Sequence, residues 1–175
     1  MSSVSSVLES SPQGYEGRTF GGFRLTRALA SGGMATVYLG EGPLHRGIRQ
    51  VAAVKVVHPH LARESDFIDM FLDETRIVSC IDHPNVCRVL DAGQSDGTYY
   101  LAMEYVMGET WADVLSRMSA TPGGEKMIMP VLAQVLAQAS QGLHAAHEAQ
   151  DADGKPLDIV HRDVSPHNIM VGYDG

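Results

Sequence analysis

Apolar residues between Phe23 and Val57 come in short runs, FRLTRAL, ATVYLGE and RQVAAVKVV, broken by small-residue turns at Ser31-Gly32-Gly33 and around Gly42-Pro43. Runs of that length between turn residues predict three antiparallel strands. The period then changes. Phe67, Met70, Phe71, Glu74, Ile77, Val78 and Ile81 recur three and four apart, with Asp66, Asp69, Asp73 and Arg76 between them, which predicts an amphipathic helix. His83-Pro84-Asn85 is expected to end it, because the residue before a proline avoids helical geometry. CRVLDA and TYYLAMEYV, joined by Gln94-Ser95-Asp96-Gly97, complete an expected five-stranded antiparallel sheet carrying one main helix. Beyond Gly108 the pattern turns helical, first from Thr110 to Met118 and then near Met129 to Gln150, where Ile128, Leu132, Val135, Ala139, Leu143 and Ala146 form one stripe. The fold class this predicts is α+β, with a sheet lobe over residues 18–106 and a helical part over 107–175. Ahead of them, residues 1–17 hold six serines and few apolar positions and are expected to form a flexible arm.

Composition narrows the choice of partners. The formal charge is −8 and the sequence pI about 5.4, which argues against a nucleic-acid surface as the main partner. Cys80 and Cys87 are the two cysteines, spaced unlike a metal or redox pair, and are expected to be reduced thiols. No stretch has the length and apolarity of a membrane span, and the N-terminus lacks the basic start and apolar core of a secretory signal, so the expected location is cytoplasmic.

Three constellations carry candidate chemistry. Lys55 lies inside the apolar run Val51 to Val57, and Glu74 lies in the stripe of the following helix. Either charge is costly to bury alone, so the economical reading pairs them across strand and helix; the alternative is a lysine that snorkels at a strand edge and a carboxylate that only borders the stripe. The second is Leu29 to Val37, LASGGMATV, whose small residues allow backbone N–H groups to approach a phosphate, although a plain hairpin turn has the same composition. The third is HRDVSPHN, His161 to Asn168. There Asp163 is placed to accept a proton from an attacking hydroxyl and Asn168 to offer an amide oxygen to a metal, with His161 and Arg162 positioning the loop.

In order and spacing these motifs resemble the N-terminal two-thirds of a protein kinase catalytic domain, and are most similar to the bacterial members of the eukaryotic-like serine/threonine kinases, over about Phe23 to Val171. The resemblance implies a protein-kinase-like fold, a sheet lobe followed by the beginning of a helical lobe. It also implies ATP and Mg²⁺ as cofactors and a protein hydroxyl as acceptor. By the same resemblance Ala30, Ser31, Gly32, Gly33 and Val37 belong to the loop over the nucleotide, and Ala53 and Lys55 to the strand whose lysine holds the phosphates. Glu74 is that lysine's helix partner, Met103 the gatekeeper, and Glu104-Tyr105-Val106 the hinge. Asp163 is then the catalytic base and Asn168 a magnesium ligand.

The chain departs from the pattern at Ala30 and Ala35, where the loop has glycines in the family, and at Ser165, where serine/threonine kinases carry a lysine. The Asp-Phe-Gly metal motif is not reached by Gly175, so the chain is expected to be a fragment, inactive alone. Two other readings are a non-catalytic pseudokinase serving as a nucleotide-binding or interaction module, and a small-molecule phosphotransferase of the aminoglycoside or choline kinase type.

Overall fold

The computed structural model describes the backbone of residues 14–45, 48–151 and 153–174; within those spans the side chains of residues 44, 45, 48, 49, 63, 65 and 74 fall outside the description. Most of the expected serine-rich arm, residues 1–13, also lies outside it. The elements run β1 (Thr19–Phe20), β2 (Phe23–Ser31), β3 (Ala35–His45), β4 (Ile48–Val57), a single 3₁₀ turn (Leu61–Arg63), α1 (Ser65–Val78), β5 (Val89–Ser95), β6 (Thr98–Glu104), β7 (Gly108–Thr110), α2 (Trp111–Ala120), α3 (Glu125–His147) and β8 (Met170–Gly172).

Strands β1 to β6 form one antiparallel sheet in the order β1-β2-β3-β4-β6-β5, and β7 pairs with β8 separately. The five expected strands are present, and β1 adds a sixth. Its two residues are too few to show a period, but the turn that makes it is visible: Phe20 pairs with Phe23 across Gly21 and Gly22, whose φ of 56° and 82° suit the two-residue hairpin that twists with its strands.

Alternation sorts the sheet's residues. Ala52, Val54 and Val56 of β4 and Ala102 of β6 are fully enclosed, packed with Phe20, Phe23, Leu25, Tyr38 and Tyr100. Tyr15 joins this core at 6% exposure, its ring edge-on to Phe20 and Tyr38, so at this residue the expected arm is instead packed structure. The signal was a lone aromatic among serines. Arg18 ties the same segment to the β5–β6 turn, 2.8 Å from Asp96, with its guanidinium over the Tyr15 ring.

The helices depart from expectation in phase and in their ends. On α1 the buried positions are Ile68, Phe71 and Thr75, whereas Met70 of the expected stripe is 55% exposed. Thr75 is polar and no part of the expected stripe, yet its hydroxyl donates to the Phe71 carbonyl at 2.7 Å, which removes the cost of burying it. The helix stops at Val78, ahead of Pro84: the Ser79 amide and hydroxyl still bond the Thr75 carbonyl, but the next amides, of Cys80 and Ile81, reach back only three residues, to Ile77 and Val78. Ile81 therefore leaves the helix and packs with Ala146 and Ala149 in a second cluster, bordered by Val86, Leu157 and Ile159. Helix α3 begins at Glu125, before Pro130, its first amides held by Gly123 and Gly124. Its stripe is as expected, each of the six residues buried or half-buried. At Gly142 the helix backbone lies so close to the Asn85 carbonyl that a Cβ would sit 2.6 Å from it.

The Tyr100 hydroxyl donates to Asp91 Oδ2 at 2.8 Å beneath Gly21, where any Cβ would collide with both. Burial first, then the Asp91 hydrogen bond and charge, push the phenol from 10 up to about 12. A folded-state value above the unfolded one means that the neutral phenol stabilises the fold fully below pH 10, and that this contribution is lost as pH rises through about 12. Tyr100→Phe is expected to cost about 1–2 kcal/mol at neutral pH, by leaving Asp91 without its donor. It is also expected to flatten the alkaline loss of stability; urea melts at neutral and alkaline pH that decline equally in both proteins would refute the assignment.

Candidate active site

Two adjacent rows of the sheet hold the sequence-derived candidates on the face opposite the aromatic core. Ala30 is level with Val37, Val37 with Lys55, and Lys55 with Leu101; in the next row Leu39 is level with Ala53 and Ala53 with Met103. Because side chains two apart share a face, Val37, Ala53, Lys55, Leu101 and Met103 point the same way. Lys55, Leu101 and Met103 line a cavity of about 180 Å³, closed by Phe71, Thr75 and Val78 of α1. Glu74 occupies the same helix between Phe71 and Val78, but its side chain falls outside the described residues, and with it the expected ion pair.

The turn between β2 and β3 closes with the Gly32 amide donating to the Ala35 carbonyl at 3.0 Å. Neither Gly32 nor Gly33 has a positive φ, and a Cβ would find nothing within 4 Å at Gly33 and only the Ala35 carbonyl, at 3.9 Å, at Gly32. The fold itself therefore does not require glycine at either place. Without side chains, the two residues leave the backbone open to close approach.

At the far end of the same face β6 finishes at Glu104, whose amide donates to the Arg88 carbonyl at 2.8 Å and whose carbonyl receives the Cys87 thiol at 3.3 Å. Val106, two residues on, makes no backbone hydrogen bond among the described residues.

Asp163 and Asn168 are brought together by their own loop. The Asn168 amide nitrogen donates to the Asp163 carboxylate at 2.8 Å and to its backbone carbonyl at 3.0 Å. Both partners only accept, so the nitrogen must face Asp163 and the Asn168 Oδ1 is left outward, as a hard cation requires of an amide ligand. Arg162 has φ 61°, a left-handed conformation that a side chain adopts at some cost, and the Asp163 amide turns back onto the His161 carbonyl at 2.9 Å.

What holds this loop is a feature the sequence reading missed. The first amides of α2, Trp111 and Ala112, donate to the carbonyls of Ile169 and Pro166 at 2.8 and 3.1 Å, so the unpaired donors of a helix start are satisfied by the loop itself. Thr110 caps that start by accepting from the Asp113 amide at 3.1 Å, and Trp111 beside it is 3% exposed. Pairing of β7 with β8 fixes the loop's exit, and the Tyr173 hydroxyl donates to Glu109 at 2.9 Å, a bond that holds the phenol above its ordinary pKa. The visible signal was Thr110 three residues before Asp113. No described hydrogen bond or ion pair joins the Asp163–Asn168 pair to Lys55 or to the glycine turn.

Residues 23–175 match the family described as protein kinase domain. Among curated proteins the chain is 38% identical over 159 residues to the tyrosine-protein kinase MasK of Myxococcus xanthus, and 32% identical over 158 residues to the serine/threonine-protein kinase PrkC of Bacillus subtilis. These alignments take in 89% and 90% of this chain but 24% and 22% of those proteins, so the chain spans about a quarter of the relatives it matches. Among solved structures, the kinase domain of Mycobacterium tuberculosis PknI superposes with a TM-score of 0.66 at 31% identity, over 91% of this chain and 58% of that one.

Thr110→Ala is expected to cost about 1 kcal/mol by loss of the cap. Amide exchange at Trp111 and Ala112 should then speed up about fivefold while the sheet core is unchanged; unaltered exchange at those two amides would show that the cap does not secure the loop.

Proposed function

The chain belongs to the protein kinase domain family, and from that premise we propose that the protein carrying it transfers the γ-phosphoryl group of ATP to serine or threonine hydroxyls of proteins. The observation that carries the reading is the Asp163–Asn168 pair, in which one side chain is free to take a proton while the other presents its oxygen outward. Asp163 accepts the proton of the incoming hydroxyl. Asn168 is the residue of this chain placed to hold Mg²⁺, which when bound neutralises charge on the phosphates. Lys55 orients the α- and β-phosphates, with Glu74 as its proposed partner. The turn Ala30 to Gly33 and Val37 cover the nucleotide, and Ala53, Met103, Glu104 and Val106 bound the adenine side. The location we propose with it is the cytoplasm, where ATP is available.

Ser165 stands where the family's serine/threonine kinases carry a lysine, and one relative at 38% identity is described as a tyrosine kinase. These two observations favour, as the second reading, transfer to tyrosine.

The test is phosphate transfer from labelled ATP and Mg²⁺ to protein acceptors by the natural polypeptide that contains this chain, with acid hydrolysis to identify the phosphorylated residue. Phosphoserine or phosphothreonine is expected, and phosphotyrosine alone would support the second reading. Asp163→Asn is expected to reduce transfer at least about 100-fold, and Lys55→Met to weaken ATP binding. Binding of MgATP with no transfer in any of these proteins would favour a pseudokinase, and transfer to small alcohols alone would favour a small-molecule phosphotransferase.

A further inference from the structure

His58 lies just past the end of β4, three residues beyond Lys55, and all four of its hydrogen-bonding atoms are engaged. Its amide donates to the Met34 carbonyl at 2.9 Å, and its carbonyl accepts from the amides of Leu61 and Ala62 at 3.0 and 3.3 Å, which starts the 3₁₀ turn. On the ring, Nδ1 lies 3.3 Å from the Gly33 carbonyl and Nε2 lies 3.0 Å from the Thr36 hydroxyl. Thr36 is 7% exposed, and its oxygen is 3.0 Å from the Ser31 hydroxyl. The imidazole therefore reaches across from β4 and grips the β2–β3 turn at both shoulders.

The chemistry of the contacts fixes their direction. A carbonyl only accepts, so Nδ1 carries the hydrogen toward Gly33. In the neutral ring Nε2 is then an acceptor for the Thr36 hydroxyl, and the Thr36 oxygen in turn accepts from Ser31. With the ring neutral, Ser31, at the end of β2, has its hydrogen committed to Thr36, while a Cβ at Gly33 would meet nothing within 4 Å. A glycine-containing turn would otherwise sample many conformations, and confining it before a ligand arrives reduces the ordering cost of binding.

We propose that His58 is a positioning residue for the phosphate-binding turn: through Gly33 and Thr36 it holds residues 31–36 in the shape that receives the nucleotide's phosphates. The proposal rests on the reading of this turn as the cover over ATP.

The test is calorimetric binding of MgATP and of adenosine to the natural polypeptide that contains this chain and to its variants. His58→Ala is expected to weaken MgATP about tenfold, the size of one or two lost hydrogen bonds, and to leave adenosine unchanged. His58→Asn retains a donor for Gly33 and His58→Gln an acceptor for Thr36, so each is expected to recover part of the loss; Thr36→Val, which keeps the branched shape, should lose affinity for MgATP alone. A loss equal for MgATP and adenosine, or no loss, overturns the proposal. If His58→Ala fails to melt cooperatively, the Gln and Thr36→Val variants decide by the same ratio. Lys55→Met separates the two readings: MgATP affinity that falls in Lys55→Met but holds in His58→Ala sinks the role of His58 and spares the nucleotide site. A wild-type chain that binds MgATP no better than adenosine overturns both.

Discussion

The arrangement depends on the two-residue period of β4 from Val51 to Val56. This strand is paired on both sides, to β3 and to β6, and its even-numbered residues Ala52, Val54 and Val56 are fully enclosed while Lys55 lines the cavity under α1. A slip of one residue in either pairing would carry an ammonium group into the aromatic core and expose the valines, a cost no local adjustment repays. The position of Lys55 is thus set by its apolar neighbours. Through the register that position sets the rows containing Val37, Leu101 and Met103 as well.

The second half of the candidate site is built on another principle. The loop from His161 to Asn168 is largely exposed and has no core of its own; what fixes it is backbone hydrogen bonding, to the start of α2 and through the short pairing of β7 with β8. Leu157 and Ile159, just upstream, are anchored beside Ile81, Ala146 and Ala149. A conformation that strains Arg162 is affordable when both flanks of the loop are held in this way.

The difference explains what was legible in advance. Period-two and period-three-to-four patterns revealed the sheet, the long helix stripe and the anomaly of Lys55, because burial writes itself into residue type. The phase of α1 was misjudged where Thr75 satisfies its own hydroxyl, since composition cannot tell a polar residue that is bonded from one that is not. β1, the docking of α2 onto the loop and the grip of His58 were not readable for a related reason. Each depends on backbone atoms, which every residue possesses, so sequence gives only the adjoining hints of Gly21-Gly22, Thr110 with Asp113, and a histidine at a strand's end. The pairing of Asp163 with Asn168 was legible as a motif, but the direction in which the amide points came only from geometry.

The approach of α3 to the loop after α1 has a mechanical meaning. At Gly142 a helix backbone rests against the Asn85 carbonyl with no side chain between them. Beside this backbone contact the side chains of Ile81 and Val86 pack with Ala145 and Ala146 of the helix. Position 142 is therefore a keystone: any side chain there would lift the helix off the Asn85 carbonyl and draw Ala146 away from Ile81 and Val86, loosening the cluster that anchors Leu157 and Ile159 ahead of the His161 loop.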